Sequence, residues 1–165
     1  EETYLKIISA KTASLFSAAT KVGAILANKE NKIKEALEFY GKNLGLTFQI
    51  ADDTLDYNSE LKLFGKEIGN DFYEGKITLP IILLYQKANS NEKQEIKYFF
   101  EKKERSENEL KKVLSMIKKY NIIFDCYEKA KHFINLASNS LSIFDESKEK
   151  NIFQNLTSFS LERTF

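Results

Sequence analysis

Apolar residues recur at alternating intervals of three and four along almost the whole chain, and that spacing predicts helices. Leu5, Ile8, Thr12, Leu15, Phe16, Ala19, Val22, Gly23 and Leu26 make one stripe; Ile33, Leu37, Tyr40, Leu44, Phe48, Ala51 and Leu55 make a second. Each predicts a long amphipathic helix with the stripe turned to a core. Ile123, Tyr127, Ala130, Ile134, Ala137, Leu141 and Phe144 continue the same rhythm, and Asp145-Glu146-Ser147-Lys148 separates that helix from a last one. Thr78 before Leu79-Pro80 marks a helix start, with Thr as N-cap and Pro in the first turn, where its missing N–H costs little. Ser106-x-x-Glu109 is a capping box. The Lys- and Glu-rich stretch from Ser90 to Lys119 reads as solvated helix faces with i,i+4 pairs. Strand signals are lacking, so the chain is expected to be all-α.

Composition narrows the function without naming it. At 165 residues, 42% hydrophobic and 30% charged, the chain is of single-domain size and can bury a sizeable core. A net charge of +1 with interspersed signs gives no basic stripe for nucleic acid. The longest apolar run, Leu79 to Tyr85, is far short of the roughly 20 residues that cross a bilayer. The single Cys126 excludes an internal disulfide and fits a reducing, cytoplasmic location as a small core residue. His132 is the only histidine, which leaves little support for a His-based zinc site or a catalytic triad.

The candidate chemistry lies where the second stripe ends. Asp52, Asp53 and Asp56 stand at i, i+1 and i+4, so Asp52 and Asp56 share a helix face and Asp53 flanks it. Carboxylates so spaced repel unless solvated or neutralised; an exposed acidic face and a site for a hard cation such as Mg2+ both satisfy that condition. The downstream residues favour the cation. Gly65-Lys66-Glu67-Ile68-Gly69-Asn70-Asp71 and Glu74-Gly75-Lys76-Ile77-Thr78-Leu79-Pro80 put lysines and a further carboxylate, Asp71, into a glycine-punctuated loop. Lys66 and Lys76 can bind phosphate as point charges, so a metal and a diphosphate can meet there. Lys11 and Asp52 fall at the edges of the apolar stripes, as the rim of a cleft requires. Phe16, Phe48 and Tyr57 read first as core aromatics, and Gln49 fits a substrate contact and a solvent-facing position equally well.

These residues resemble those of the trans-polyprenyl diphosphate synthases, especially the long-chain type that includes octaprenyl diphosphate synthase. Four segments match in order: Lys11-Thr12-Ala13 with Leu15-Phe16 and Gly23-Ala24 after Tyr4; Phe48-Gln49-x-x-Asp52-Asp53-x-x-Asp56, similar to the family's second aspartate-rich motif; the loop with Lys66, Asp71 and Lys76; and Phe153-x-x-Leu156-x-x-Phe159-x-x-x-Arg163, similar to its terminal helix. The resemblance is dense from residue 4 to about 86, thin through the middle, and weakly renewed at the end. It implies the C-terminal portion of an isoprenoid-synthase-type helical bundle, with residues 1–165 forming the C-terminal half of a polyprenyl synthetase domain.

The resemblance also implies a reaction, in which isopentenyl diphosphate elongates an allylic prenyl diphosphate with Mg2+ as cofactor. In that reading Asp52, Asp53, Asp56 and Asp71 serve the metal; Lys11, Thr12, Lys66 and Lys76 bind diphosphate; and Phe48 and Gln49 line the substrate region. Lys11, Thr12, Gln49 and Lys66 are the residues expected closest to catalysis. The family's first aspartate motif, its following arginine pair and its upstream Gly-Gly-Lys-Arg-type segment are not in this sequence. The chain alone is therefore expected to be inactive, completed by the N-terminal half of the same synthase or working as a homodimer. A non-catalytic subunit or gene remnant paired with another synthase chain, and a helical interaction module, remain the alternatives.

Overall fold

The computed structural model describes residues 1–58 and 68–162, and every regular element among them is helical. In chain order these are α1 (Glu2–Ile8), a π turn (Ser9–Ala13), α2 (Ser14–Leu26), α3 (Asn31–Leu55), α4 (Asn70–Glu74), α5 (Leu79–Lys87), α6 (Ser90–Glu101), α7 (Glu107–Lys119), α8 (Ile122–Ser140), a 3-10 turn (Leu141–Ile143) and α9 (Lys148–Glu162). They divide into two compact units. A terminal unit joins Glu2–Ala51 to the chain from Tyr127 onward, and a central unit holds Asp52–Cys126 together with Glu1.

In the terminal unit the first stripe folds differently from its spacing. Tyr4 and Ile8 are buried as a straight helix requires, but the next buried residue is Ala13, five positions on. The π turn inserts that extra residue and moves the inward face along by one. The inward set after it runs through Ala13, Phe16, Thr20 and Ala24, whereas Leu15 (73% exposed), Val22 and Leu26 (82%) face outward. The predicted single helix is thus interrupted, and half of its expected stripe is on the surface.

The second stripe behaves as its spacing predicts. Tyr40 and Leu44 of α3 pack with Ile134 and Ala137 of α8 and with Leu141, and Phe16, Leu37, Phe144, Phe153 and Leu161 close around them. Burying a side chain of this size contributes roughly 1.5–3 kcal/mol. Tyr40 also turns its ring edge to Phe153 at 5.1 Å and donates its hydroxyl to the Phe153 carbonyl at 2.7 Å. The approach of α2 to α3 depends on two glycines. A Cβ at Gly45 would lie 2.7 Å from Ala13 Cα, and one at Gly41 would overlap Thr20 Oγ1 and the Phe16 carbonyl. Because the backbones come so close, Thr20 Oγ1 donates to Leu37 O at 2.5 Å and Ser17 Oγ to Glu38 O at 3.1 Å.

The central unit is built on Phe72 of α4, fully buried and edge-on to Phe99 and Phe100 of α6 at 6.5 and 5.6 Å. Leu79, Ile81 and Leu84 of α5 and Leu110, Val113 and Ile117 of α7 are buried in the same unit. The Ser106 capping box is present, with the Ser106 N–H on Glu109 Oε2 at 2.8 Å and the Glu109 N–H on Ser106 Oγ at 3.4 Å. Asn89 forms a second one with Glu92, in addition to the one expected. Thr78 does occupy the N-cap of α5 with Pro80 in the first turn, but its hydroxyl makes no capping bond and lies beside the Tyr57 hydroxyl instead. No helix among the described residues is long and apolar enough to cross a membrane.

Candidate functional site

The expected site residues fall into two groups, one in each unit. In the terminal unit, Lys11 and Thr12 lie on the π turn, a distortion often found where function outweighs regular geometry. Lys11 is exposed and Thr12 half-buried. Thr12 Oγ1 donates to Gln49 Oε1 at 2.6 Å. Gln49 is only 9% exposed, so the solvent-facing alternative for it is overturned: α3 turns it inward, toward the π turn. Phe48, half-buried, lies against Phe16 with ring centroids 5.5 Å apart. The pairing of Thr12 with Gln49 depends on the glycine contact one turn away, since Gly45 abuts Ala13, the neighbour of Thr12.

In the central unit the aspartates diverge in environment. Asp52 is half-buried, Asp53 is 6% exposed, and Asp56 follows the last residue of α3. Asp56 Oδ1 accepts the Asn70 N–H at 3.1 Å and Oδ2 the Asp71 N–H at 2.8 Å, while its carbonyl accepts the Gly69 N–H at 2.8 Å. One residue thus ties the end of the acidic helix to the start of α4. Gly69 and Gly75 bracket α4 at φ 88° and 75°, left-handed conformations that side-chain-bearing residues avoid. The Gly75 turn brings the Lys76 N–H onto the Asp71 carbonyl at 2.8 Å and Lys76 Nζ to 3.2 Å from Asp71 Oδ1. Lys76 Nζ also meets Glu74 Oε2 at 2.6 Å. Glu74, then Asp71, holds the Lys76 ammonium well above the ordinary lysine range, so it carries its charge at any working pH.

Tyr57 is buried beside these carboxylates. Burial, and then the negative fields of Asp56 and Asp71, push its phenol far up, so it stays neutral. Its hydroxyl lies beside that of Thr78, which offsets a small part of the rise. Lys66 lies outside the described residues, as does Arg163.

Among the described residues no three carboxylate, histidine or cysteine groups converge closely enough to hold a metal ion by themselves. The donors are still of the right chemistry. Mg2+ takes hard oxygen ligands and is commonly held by one or two carboxylates with substrate phosphates and water. Asp52, Asp53 and Asp56 could supply one or two such carboxylates, with Asp71 and Lys76 tied to Asp56 through the start of α4.

Comparison with known proteins decides what this arrangement belongs to. Residues 1–117 match the model of the family described as Polyprenyl synthetase. The chain belongs to the polyprenyl synthetase family. It is 35% identical over 163 residues to an all-trans-nonaprenyl-diphosphate synthase (geranyl-diphosphate specific) of Rhodobacter capsulatus, covering 99% of this chain and 49% of that protein. It is 31% identical over 165 residues to the octaprenyl diphosphate synthase of Haemophilus influenzae, covering 100% of this chain and 50% of the relative. The crystal structure of a polyprenyl synthase from Caulobacter crescentus CB15, complexed with calcium and isoprenyl diphosphate, superposes with a TM-score of 0.93 at 33% identity. That match covers 100% of this chain and 50% of the other. The chain spans about half the length of the curated relatives it matches. Its helical fold is that of the isoprenoid synthases, as the family resemblance implies.

Three features of this family member go beyond what its sequence motifs predict. Gly41 and Gly45, one helical turn apart between Tyr40 and Leu46, carry a legible signal, a small-residue pair inside an apolar stripe. The π turn and the surroundings of Arg105 carry none.

Proposed function

We propose that this chain supplies the diphosphate-gripping half of a Mg2+-dependent trans-prenyltransferase that extends an allylic prenyl diphosphate with isopentenyl diphosphate. The observation that carries the reading is the Asp56 clamp on the start of α4, the short helix on which Asp71 lies 3.2 Å from Lys76. The Caulobacter relative, crystallised with a divalent cation and isoprenyl diphosphate, supports both ligand classes.

Mg2+, when bound by Asp52, Asp53 and Asp56, would neutralise the diphosphate and stabilise the charge it gains as the C–O bond breaks. Lys76 binds phosphate oxygens as a point charge, exchanging Glu74 for the ligand while Asp71 keeps it aimed. Lys11, exposed on the π turn, and Lys66 are assigned to diphosphate binding by the motif alone. Thr12 holds the Gln49 oxygen, which turns the amide nitrogen away from Thr12 and fixes its direction. Phe48, backed by Phe16, offers an apolar surface to the prenyl chain near the reacting carbons. Asp71 assists the metal through water or through Lys76.

The chain carries one wall of the site, so the facing aspartate motif comes from an N-terminal half of the same synthase, and the complete unit works as a dimer. The test incubates residues 1–165 with radiolabelled isopentenyl diphosphate, geranyl diphosphate and Mg2+, with and without an N-terminal half bearing D-D-x-x-D and paired arginines. Long prenyl products are expected only with the added half. Elongation by the chain alone overturns the half-site reading, and failure to restore it favours a non-catalytic subunit. That second reading draws on the coverage of half of each relative.

A further inference from the structure

Arg105 lies outside every motif that points to prenyl chemistry, yet its guanidinium reaches beneath the turn that carries Asp71 and Lys76. Nη1 donates to the Tyr73 carbonyl at 3.3 Å and Nη2 to the Phe100 carbonyl at 3.0 Å. Tyr73 is in the last turn of α4 and Phe100 in the last turn of α6, where carbonyls lack partners within their own helices. One cation therefore caps two helix C-termini, the ends that favour positive charge. The guanidinium carbon also stands 5.4 Å from the centre of the Phe100 ring. Gly75 leaves the room: a Cβ there would lie 2.6 to 2.9 Å from the guanidinium atoms.

The arrangement favours position over stability. Among the described residues Arg105 Nε has no partner and is buried, an unmet donor that costs stability. What the planar fork secures is the height and direction of the Gly75 turn, whose N–H groups at Gly75 and Lys76 bond Phe72 O and Asp71 O. A lysine, with one mobile ammonium, cannot reach both carbonyls in a fixed plane.

We infer that Arg105 is a positioning residue for diphosphate binding, setting the Gly75 turn so that Asp71 and Lys76 meet the ligand together. The inference rests on the function proposed above. Groups that orient ligating residues typically cost about tenfold to a hundredfold in affinity when lost.

The test uses the full chain, Mg2+ and inorganic pyrophosphate in calorimetry, with Arg105→Lys, Arg105→Met and Lys76→Ala, and amide hydrogen exchange at Gly75 and Lys76. Arg105→Lys is expected to keep its thermal midpoint, to lose amide protection at Gly75 and Lys76, and to bind pyrophosphate about tenfold or more weakly. Adding Lys76→Ala to it should cost little further, because the two act through one turn. Wild-type affinity in Arg105→Lys and Arg105→Met, unchanged amide protection, or losses that simply add to Lys76→Ala would overturn the inference while leaving the function reading intact. Failure of the unsubstituted chain to bind pyrophosphate with Mg2+, even with the N-terminal half added, would overturn both.

Discussion

Replacing Gly45 by alanine tests the contact that joins Thr12 to Gln49. The new Cβ would lie 2.7 Å from Ala13 Cα and 3.1 Å from both Ala13 Cβ and Phe16 Cβ. Carbon atoms pack at about 3.5–4.0 Å, so the π turn and α3 must part by about 1 Å. Ala13 Cα is backbone and cannot rotate aside. Overpacking of this kind costs about 1–3 kcal/mol, and the better helix propensity of alanine returns only about 1 kcal/mol. A net loss of up to about 2 kcal/mol is expected. Gly23 is the control, since a Cβ there meets nothing within 4 Å. Gly23→Ala should instead stabilise by about 0.8–1 kcal/mol. Urea unfolding followed by circular dichroism, at one protein concentration, reads the difference. With m of about 2 kcal/mol per molar, the two midpoints should separate by about 0.4–1.5 M. Equal midpoints, or a more stable Gly45→Ala, would show that the α2–α3 contact is looser than described and would remove the basis for the Thr12–Gln49 pairing.

Asp56→Ala should lower stability by about 1 kcal/mol by releasing the Asn70 and Asp71 N–H groups, and Asp52→Ala should leave the far-ultraviolet circular dichroism helical. With an N-terminal half present, both should weaken Mg2+-dependent bisphosphonate binding in calorimetry, and unchanged affinity for Asp52→Ala would refute its metal role. Cys126 is fully buried, and that burial pushes its thiol up to about 12, so an alkylating reagent at neutral pH should label it only after urea unfolding. Labelling of the native protein, read by mass, would contradict the packing. The Lys119 ammonium, then the Tyr120 hydroxyl, holds the Glu92 carboxyl at about 2, below its ordinary 4.5. A lowered folded pKa gives stability that is present above about 4.5 and lost as pH falls toward about 2. Glu92→Gln should therefore flatten the acid limb of the thermal midpoint against pH in that window, and an unchanged limb would mean the pair is screened.

Features that depend on neighbours within a turn or two were legible in the chain. The three-and-four rhythm of Ile33 to Leu55 specified a helix with Tyr40 and Leu44 inward, and both are buried. Ser106-x-x-Glu109 specified a cap because both partners lie within one turn of each other. The order Asp52, Asp53, Asp56, Asp71, Lys76 was readable because i,i+4 geometry and a glycine turn need no distant residue. What covers each face was settled by packing instead. The first stripe kept its apolar rhythm through Leu15 and Val22, but α3 meets the other side of α2 across Gly41 and Gly45, and the π turn shifts the register to suit. Gln49 was ambiguous by pattern and buried in fact, because Thr12 arrives from 37 residues away. Arg105 gave no local sign at all, since its partners, the carbonyls of Tyr73 and Phe100, are two helix ends that only packing brings together. Periodicity states which face of a helix avoids water, whereas the neighbour that shields that face is chosen by backbone approach distances and unpaired carbonyls that no single segment contains.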